Sequence, residues 1–127
     1  MNPALALLTG NETEADLGRI RLALERWLTD TDGPSLQAYL GISRSTARKA
    51  LRDRHLRAAA TYLDGGPWSK ALALGEAARA FEVRRWPKWR RSGPPTTASD
   101  LDLELFSARQ YGDVCMSTRQ LFRIIAS

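Results

Sequence analysis

The sequence predicts an all-α chain of about five to six helices, and three observations predict it. Apolar residues recur at helical spacing in segment after segment. No stretch alternates apolar and polar side chains as a half-buried strand would. Clusters of Gly, Pro, Asp and Ser cut the chain into helix-length pieces. The 127 residues are the length of one domain and can bury about two thirds of the unfolded surface. A single domain over 1–127 is expected, with N-terminal helices in 1–66, a C-terminal helical part in 67–127, and a linker at 92–97.

Met1–Leu8 is apolar and reads as a short helical arm. It has no basic leading region and is too short to span a bilayer. The first long helix is expected from about Asn11 to Leu28, because Leu17, Ile20, Leu24, Trp27 and Leu28 fall on one face of a 3.6-residue period. Asn11 followed by Glu14 fits a capping box, and Asp32-Gly33-Pro34 is a stop. Ser35–Leu40 makes a short second helix. A third starts at Ser43 and can run to Leu63, where Asp64-Gly65-Gly66 ends it. Its inner face is expected to hold Ala47, Leu51, Ala58, Ala59, Tyr62 and Leu63.

Pro67 opens the next helix in the favoured first-turn position. It carries Leu72, Leu74, Ala78 and Phe81 inward and is expected to end near Trp86-Pro87. Ser92-Gly93-Pro94-Pro95-Thr96-Thr97 is a linker, since consecutive prolines cannot sit inside a helix. Ser99 or Asp100 then caps a helix bearing Leu101, Leu103, Leu105, Phe106 and Ala108. After Gly112, Ser117 with Gln120 forms a second capping-box pattern ahead of Leu121, Phe122, Ile124 and Ile125.

The distribution of charge says more than its sum of +5. Residues 1–42 carry a net of −3, residues 43–91 a net of +9, and residues 92–127 a net of −1. One internal block therefore holds the positive field, as in a protein that meets a polyanion with one face.

Within that block, Gly41-Ile42-Ser43-Arg44-Ser45-Thr46-Ala47-Arg48-Lys49-Ala50-Leu51 has the make-up of the turn and second helix of a helix-turn-helix. Gly41 supplies the positive φ that a tight turn requires, and Ser43 can cap the new helix. Ser43, Arg44, Ser45, Arg48, Lys49 and Arg52 fall outward, while Ala47, Ala50 and Leu51 face the scaffold. Arginine can donate two hydrogen bonds to guanine O6 and N7, which makes Arg44 and Arg48 the first choices for base contact. Lys49, Arg52 and Arg57 suit phosphates.

This run resembles that of bacterial and phage helix-turn-helix regulators, whose turn often reads Gly-Val-Ser-Arg-Ser-Thr-Val followed by basic residues and leucine. The resemblance covers about residues 35–52. It departs from the family at Gln37, where alanine is usual, and at Ala47, where a β-branched residue is preferred. The resemblance implies a recognition helix in the major groove of duplex DNA. Met116-Ser117-Thr118-Arg119-Gln120-Leu121-Phe122-Arg123 is also similar to the start of a DNA-reading helix in arabinose-regulator-type proteins. The turn before it is longer than in that family, and the run reads first as a capped C-terminal helix.

A second basic cluster, Arg84-Arg85-Trp86-Pro87-Lys88-Trp89-Arg90-Arg91, interleaves cations with tryptophans. Such a pattern can grip phosphates while stacking on bases, as single-strand and RNA sites do. The favoured reading anchors Trp86 and Trp89 to the core and keeps Arg84, Arg85, Lys88, Arg90 and Arg91 as phosphate contacts.

Catalytic and metal chemistry find no foothold. His55 is the lone histidine and Cys115 the lone cysteine, so neither an internal disulfide nor a Cys/His zinc cluster can form. Asp100, Asp102 and Glu104 open a helix, where carboxylates complement its dipole. No Gly-rich phosphate loop is present. The expectation is a cytoplasmic, non-enzymatic protein without cofactor, metal or membrane partner. Its expected role is sequence-specific binding of double-stranded DNA in transcription regulation, as a homodimer if the C-terminal helices supply a two-fold interface. The alternative is a protein-binding adaptor or inhibitor from a mobile element that docks an acidic partner on its basic face.

Overall fold

Helices account for every regular element in the computed structural model, which describes residues 2–29 and 35–127. In chain order they are α1 (Pro3–Thr9), α2 (Glu14–Thr29), α3 (Leu36–Leu40), α4 (Arg44–Ala60), α5 (Pro67–Arg84), α6 (Trp86–Ser92), α7 (Asp100–Arg109) and α8 (Thr118–Ala126). The all-α expectation holds among the described residues. The Asp32-Gly33-Pro34 stop lies outside them, as do the side chains of Leu28 and Gln37. No helix of the described residues is long and apolar enough to cross a membrane.

The chain divides into two compact units, Met1–Leu51 and Arg52–Ser127. The division falls inside α4. In the N-terminal unit α1 packs on α2, and α2 on α3. Asn2 caps α1, its Oδ1 accepting from the N–H of Ala4 at 2.8 Å and of Leu5 at 3.2 Å. The box that opens α2 is formed by Thr13 and Asp16 instead of Asn11 and Glu14. Thr13 N–H donates to Asp16 Oδ2 at 3.0 Å, and Asp16 N–H donates to Thr13 Oγ1 at 3.2 Å. Both pairs have the same spacing, but Thr13 sits directly against the first helical residue. The face expected to be buried on α2 leaves Leu17, Leu24 and Trp27 exposed.

In the C-terminal unit α5 is the central helix, packed by α6, α7 and α8. Leu56, Leu74, Phe81, Leu105, Val114 and Leu121 are fully buried, each stabilising the unit by roughly 1.5–3 kcal/mol. Two inward expectations are corrected. Tyr62 and Leu72 are 53% and 47% exposed, while Leu56, not assigned to the core from sequence, is sealed. Tyr62 lies past the end of α4, where the backbone has left the helical path.

Gly66 precedes Pro67 as the cap of α5. Pro87 does not end this helix. α5 stops at Arg84, and Pro87 stands in the first turn of α6, where its missing N–H costs nothing. Ser99 caps α7 through Asp102 N–H. Ser117 and Gln120 make both bonds of the expected box at α8.

Candidate nucleic-acid interface

Three pieces of chain build the first cluster: α3, the turn at Gly41, and the first two turns of α4. Gly41 has φ +72°, the left-handed conformation that favours glycine. A Cβ there would also meet Asn2 Nδ2 at 2.8 Å. Asn2 donates from that nitrogen to the Leu40 carbonyl at 2.8 Å. One side chain thus caps α1 and holds the last carbonyl of α3. The sequence reading passed over Asn2, although an asparagine directly before a helix-opening proline is a capping signal.

Ser43 is the N-terminal cap of α4, its Oγ accepting from Thr46 N–H at 3.2 Å. Its hydroxyl also lies 2.9 Å from Thr46 Oγ1 and 3.2 Å from Ser45 Oγ, so these hydroxyls form one cluster at the helix start. Arg44, Ser45, Arg48 and Lys49 are all exposed, and the first turn of α4 holds no acidic residue. Ala50 is buried and Ala47 half-buried. Ser43 and these four exposed positions belong to the N-terminal unit.

The later cations of α4 are placed differently. Arg52 is four and seven residues before Leu56 and Ala59, so its stem follows the side of α4 that the C-terminal core covers. Its guanidinium bonds Asp53 at 3.0 Å, and the two side chains are only 16% and 19% exposed. Arg57 is half-buried, with Nη1 3.5 Å from Ser127 Oγ. Arg54, which sequence reasoning did not single out, is exposed. Its signal was its offset from the Leu56–Ala59 side of the helix.

The second cluster lies in the C-terminal unit. Arg84, Lys88, Arg90 and Arg91 are exposed, whereas Arg85 is tied to Asp102 by a 3.0 Å ion pair. Trp89 is buried, edge-on to Phe81 and Phe106 at centroid distances of 5.8 and 6.3 Å. Trp86 is half-buried against Phe81 and Phe106, and the Arg109 guanidinium lies 4.6 Å over its ring. Arg109 is held there by Glu82 at 3.0 Å. The tryptophans fix α6 to the core, and the cations project from it. No face of Trp89 is open for a base to stack on.

Comparison with protein-family models, curated proteins and solved structures returns no match. His55 Nδ1 lies 2.8 Å from Glu104 Oε2, and its ring stacks on Tyr111 at 6.1 Å, fastening α4 to α7 and the turn after it. Cys115 rests its sulfur 3.9 Å from the Ala78 carbonyl. Partial burial of the thiol, then the carboxylates of Asp113 and Glu82, raise its pKa above the ordinary value against the opposing pull of Arg79 and Arg109. A thiol so placed is a poorer nucleophile at neutral pH. No group of three or more metal-binding side chains occurs among the described residues. Both clusters present exposed cations, and an array of exposed arginine and lysine suits phosphate.

Proposed function

We propose that this protein binds double-stranded DNA in a sequence-specific manner through the start of α4, as a small bacterial or phage-borne transcriptional regulator. The observation that carries the reading is the exposure of Ser43, Arg44, Ser45, Arg48 and Lys49 at the cap and first two turns of a helix without an acidic first turn. The helix start adds its own partial positive charge toward a phosphate. Arg44 and Arg48 reach base edges, and Lys49 holds the backbone. Arg52 and Arg57 take a smaller part than their charge suggests, because both are drawn into the C-terminal unit. Arg84 at the end of α5 and Lys88, Arg90 and Arg91 on α6 supply phosphate contacts, while Arg85 is held by Asp102.

Fluorescence anisotropy on a random-duplex pool at two salt concentrations tests this, with wild type beside Arg44→Glu/Arg48→Glu. Selected, salt-sensitive binding that the double variant loses is the expected result. Each phosphate contact contributes roughly 0.9 to the log–log salt slope. Equal binding by the variant, or no selection from the pool, overturns the reading. The second reading is a protein-binding adaptor, and the exposed Leu17, Leu24 and Trp27 on one side of α2 favour it. It predicts that an acidic protein, not DNA, competes for the basic face.

A further inference from the structure

α5 carries two apolar stripes, and the core uses only one of them. Ala71, Leu74, Gly75, Ala78 and Phe81 are buried. Trp68, Leu72, Glu76, Arg79 and Val83 form a second row, and all five are exposed. At 3.6 residues per turn this row spans an arc of about 80°. Trp68, Leu72 and Val83 are 51%, 47% and 76% exposed. Trp68 makes a T-shaped contact with Phe122 of α8, ring centroids 5.6 Å apart, which widens the apolar end of the row. Three large apolar side chains aligned on the central helix of the core are not scattered surface residues. With Glu76 and Arg79 standing between Leu72 and Val83, they make a mixed apolar and charged strip of the kind that marks an interaction surface.

The order of the row decides what covers it. Reading along α5, it runs apolar, apolar, acidic, basic, apolar. Laid antiparallel on itself with Glu76 opposite Arg79, it also sets Leu72 opposite Val83, because both pairs are centred on the same point of the helix. A two-fold axis through that point makes each contact twice: Glu76 with Arg79 of the other copy, and Leu72 with Val83 of the other copy. Trp68 then extends past Val83 and closes each end. Such self-complementarity is the requirement of an isologous interface, in which one patch meets itself. A partner of unrelated sequence would have to reproduce this alternation in the reverse direction, whereas a second copy carries it already.

We infer that two copies of this chain associate through antiparallel contact of their α5 helices, in the register that pairs Glu76 with Arg79. The inference does not rest on DNA binding and is tested without nucleic acid. Sedimentation velocity of the full chain over a concentration series should give a monomer–dimer equilibrium. Glu76→Arg and Arg79→Glu each turn both symmetric ion pairs into repulsions, and each should weaken association by about tenfold or more. Both positions are exposed, so folding is retained, which circular dichroism verifies. An equimolar mixture of the two variants should recover association. In the mixed dimer one copy presents two cations at these positions and the other two anions, so both pairs are restored. A wild type that stays monomeric at every concentration overturns the inference. So do single variants that associate like wild type, or a mixture that fails to recover.

Discussion

Replacing Trp89 by alanine tests the most consequential assignment in the basic cluster, that its aromatic residues are core and only its cations are surface. Trp89 is 7% exposed and makes T-shaped contacts with Phe81 and Phe106. Truncating a large buried aromatic costs about 3–5 kcal/mol, and part of that comes from lost edge-to-face contacts worth about 0.5–1.5 kcal/mol each. Phe81 is itself fully buried and touches both tryptophans, so the cavity would open beside the centre of the core. A domain this size is stable by only about 5–15 kcal/mol, so the loss takes a large fraction of it. Urea denaturation followed by near-UV circular dichroism measures the change as a lower midpoint at constant slope. Trp89→Phe should cost less, because it keeps a ring between Phe81 and Phe106, and it should leave DNA affinity unchanged. The opposite pattern would refute the reasoning. A stability loss below about 1 kcal/mol, with affinity for single strands reduced by the roughly 1–3 kcal/mol of a stacked base, would place Trp89 on a binding surface.

Two further outcomes follow from local geometry. Cys115 should react with iodoacetamide more slowly at neutral pH than a free cysteine, with a midpoint above the ordinary thiol range; Asp113→Asn removes one of the carboxylates that raise it, so the midpoint should move down. Ser117→Ala removes one bond of the box at α8, which seats Leu121 and Ile124, and should cost about 1 kcal/mol in chemical denaturation.

Capping chemistry was the most legible part of the fold. Ser43, Ser99 and Ser117 stand where short polar side chains precede helical runs, and each accepts the N–H three residues on. Gly41 was legible for an equally local reason, its positive φ. Two local signals were misassigned because each had a competing local reading. Pro87 reads as a terminator from upstream and as a first-turn residue from downstream, and the break at Arg85 decides for the second. Asn11–Glu14 and Thr13–Asp16 offer the same spacing two residues apart, and only the observed helix start selects between them. The cations of the candidate interface were legible as a charge block, but their sorting was not. Asp102, which holds Arg85, is distant in sequence, so no local pattern reveals that pair. Arg52 is engaged by its own neighbour Asp53, yet what buries the pair is the side of α4 that Leu56 and Ala59 take into the core.

Leu72 shows the deeper limit. Periodicity detects that a residue lies on an apolar side of a helix, but it assumes that a helix has one such side. In α5 the buried row of Leu74, Ala78 and Phe81 and the exposed row of Leu72 and Val83 lie on different sides of the same cylinder. Their contributions partly cancel, so neither side stands out from the sequence and Leu72 reads like Leu74. The distinguishing information is in the charged residues between the apolar ones. Glu76 and Arg79 interrupt the outer row and leave the inner row uninterrupted. An uninterrupted row is what a core tolerates, since a buried charge without a partner is too costly. A row broken by one acid and one base at mirror positions tolerates burial only against a surface that returns the opposite charge at each point. That condition is met by the same row reversed, and it makes the interruption itself the signature of the surface that a second copy would cover.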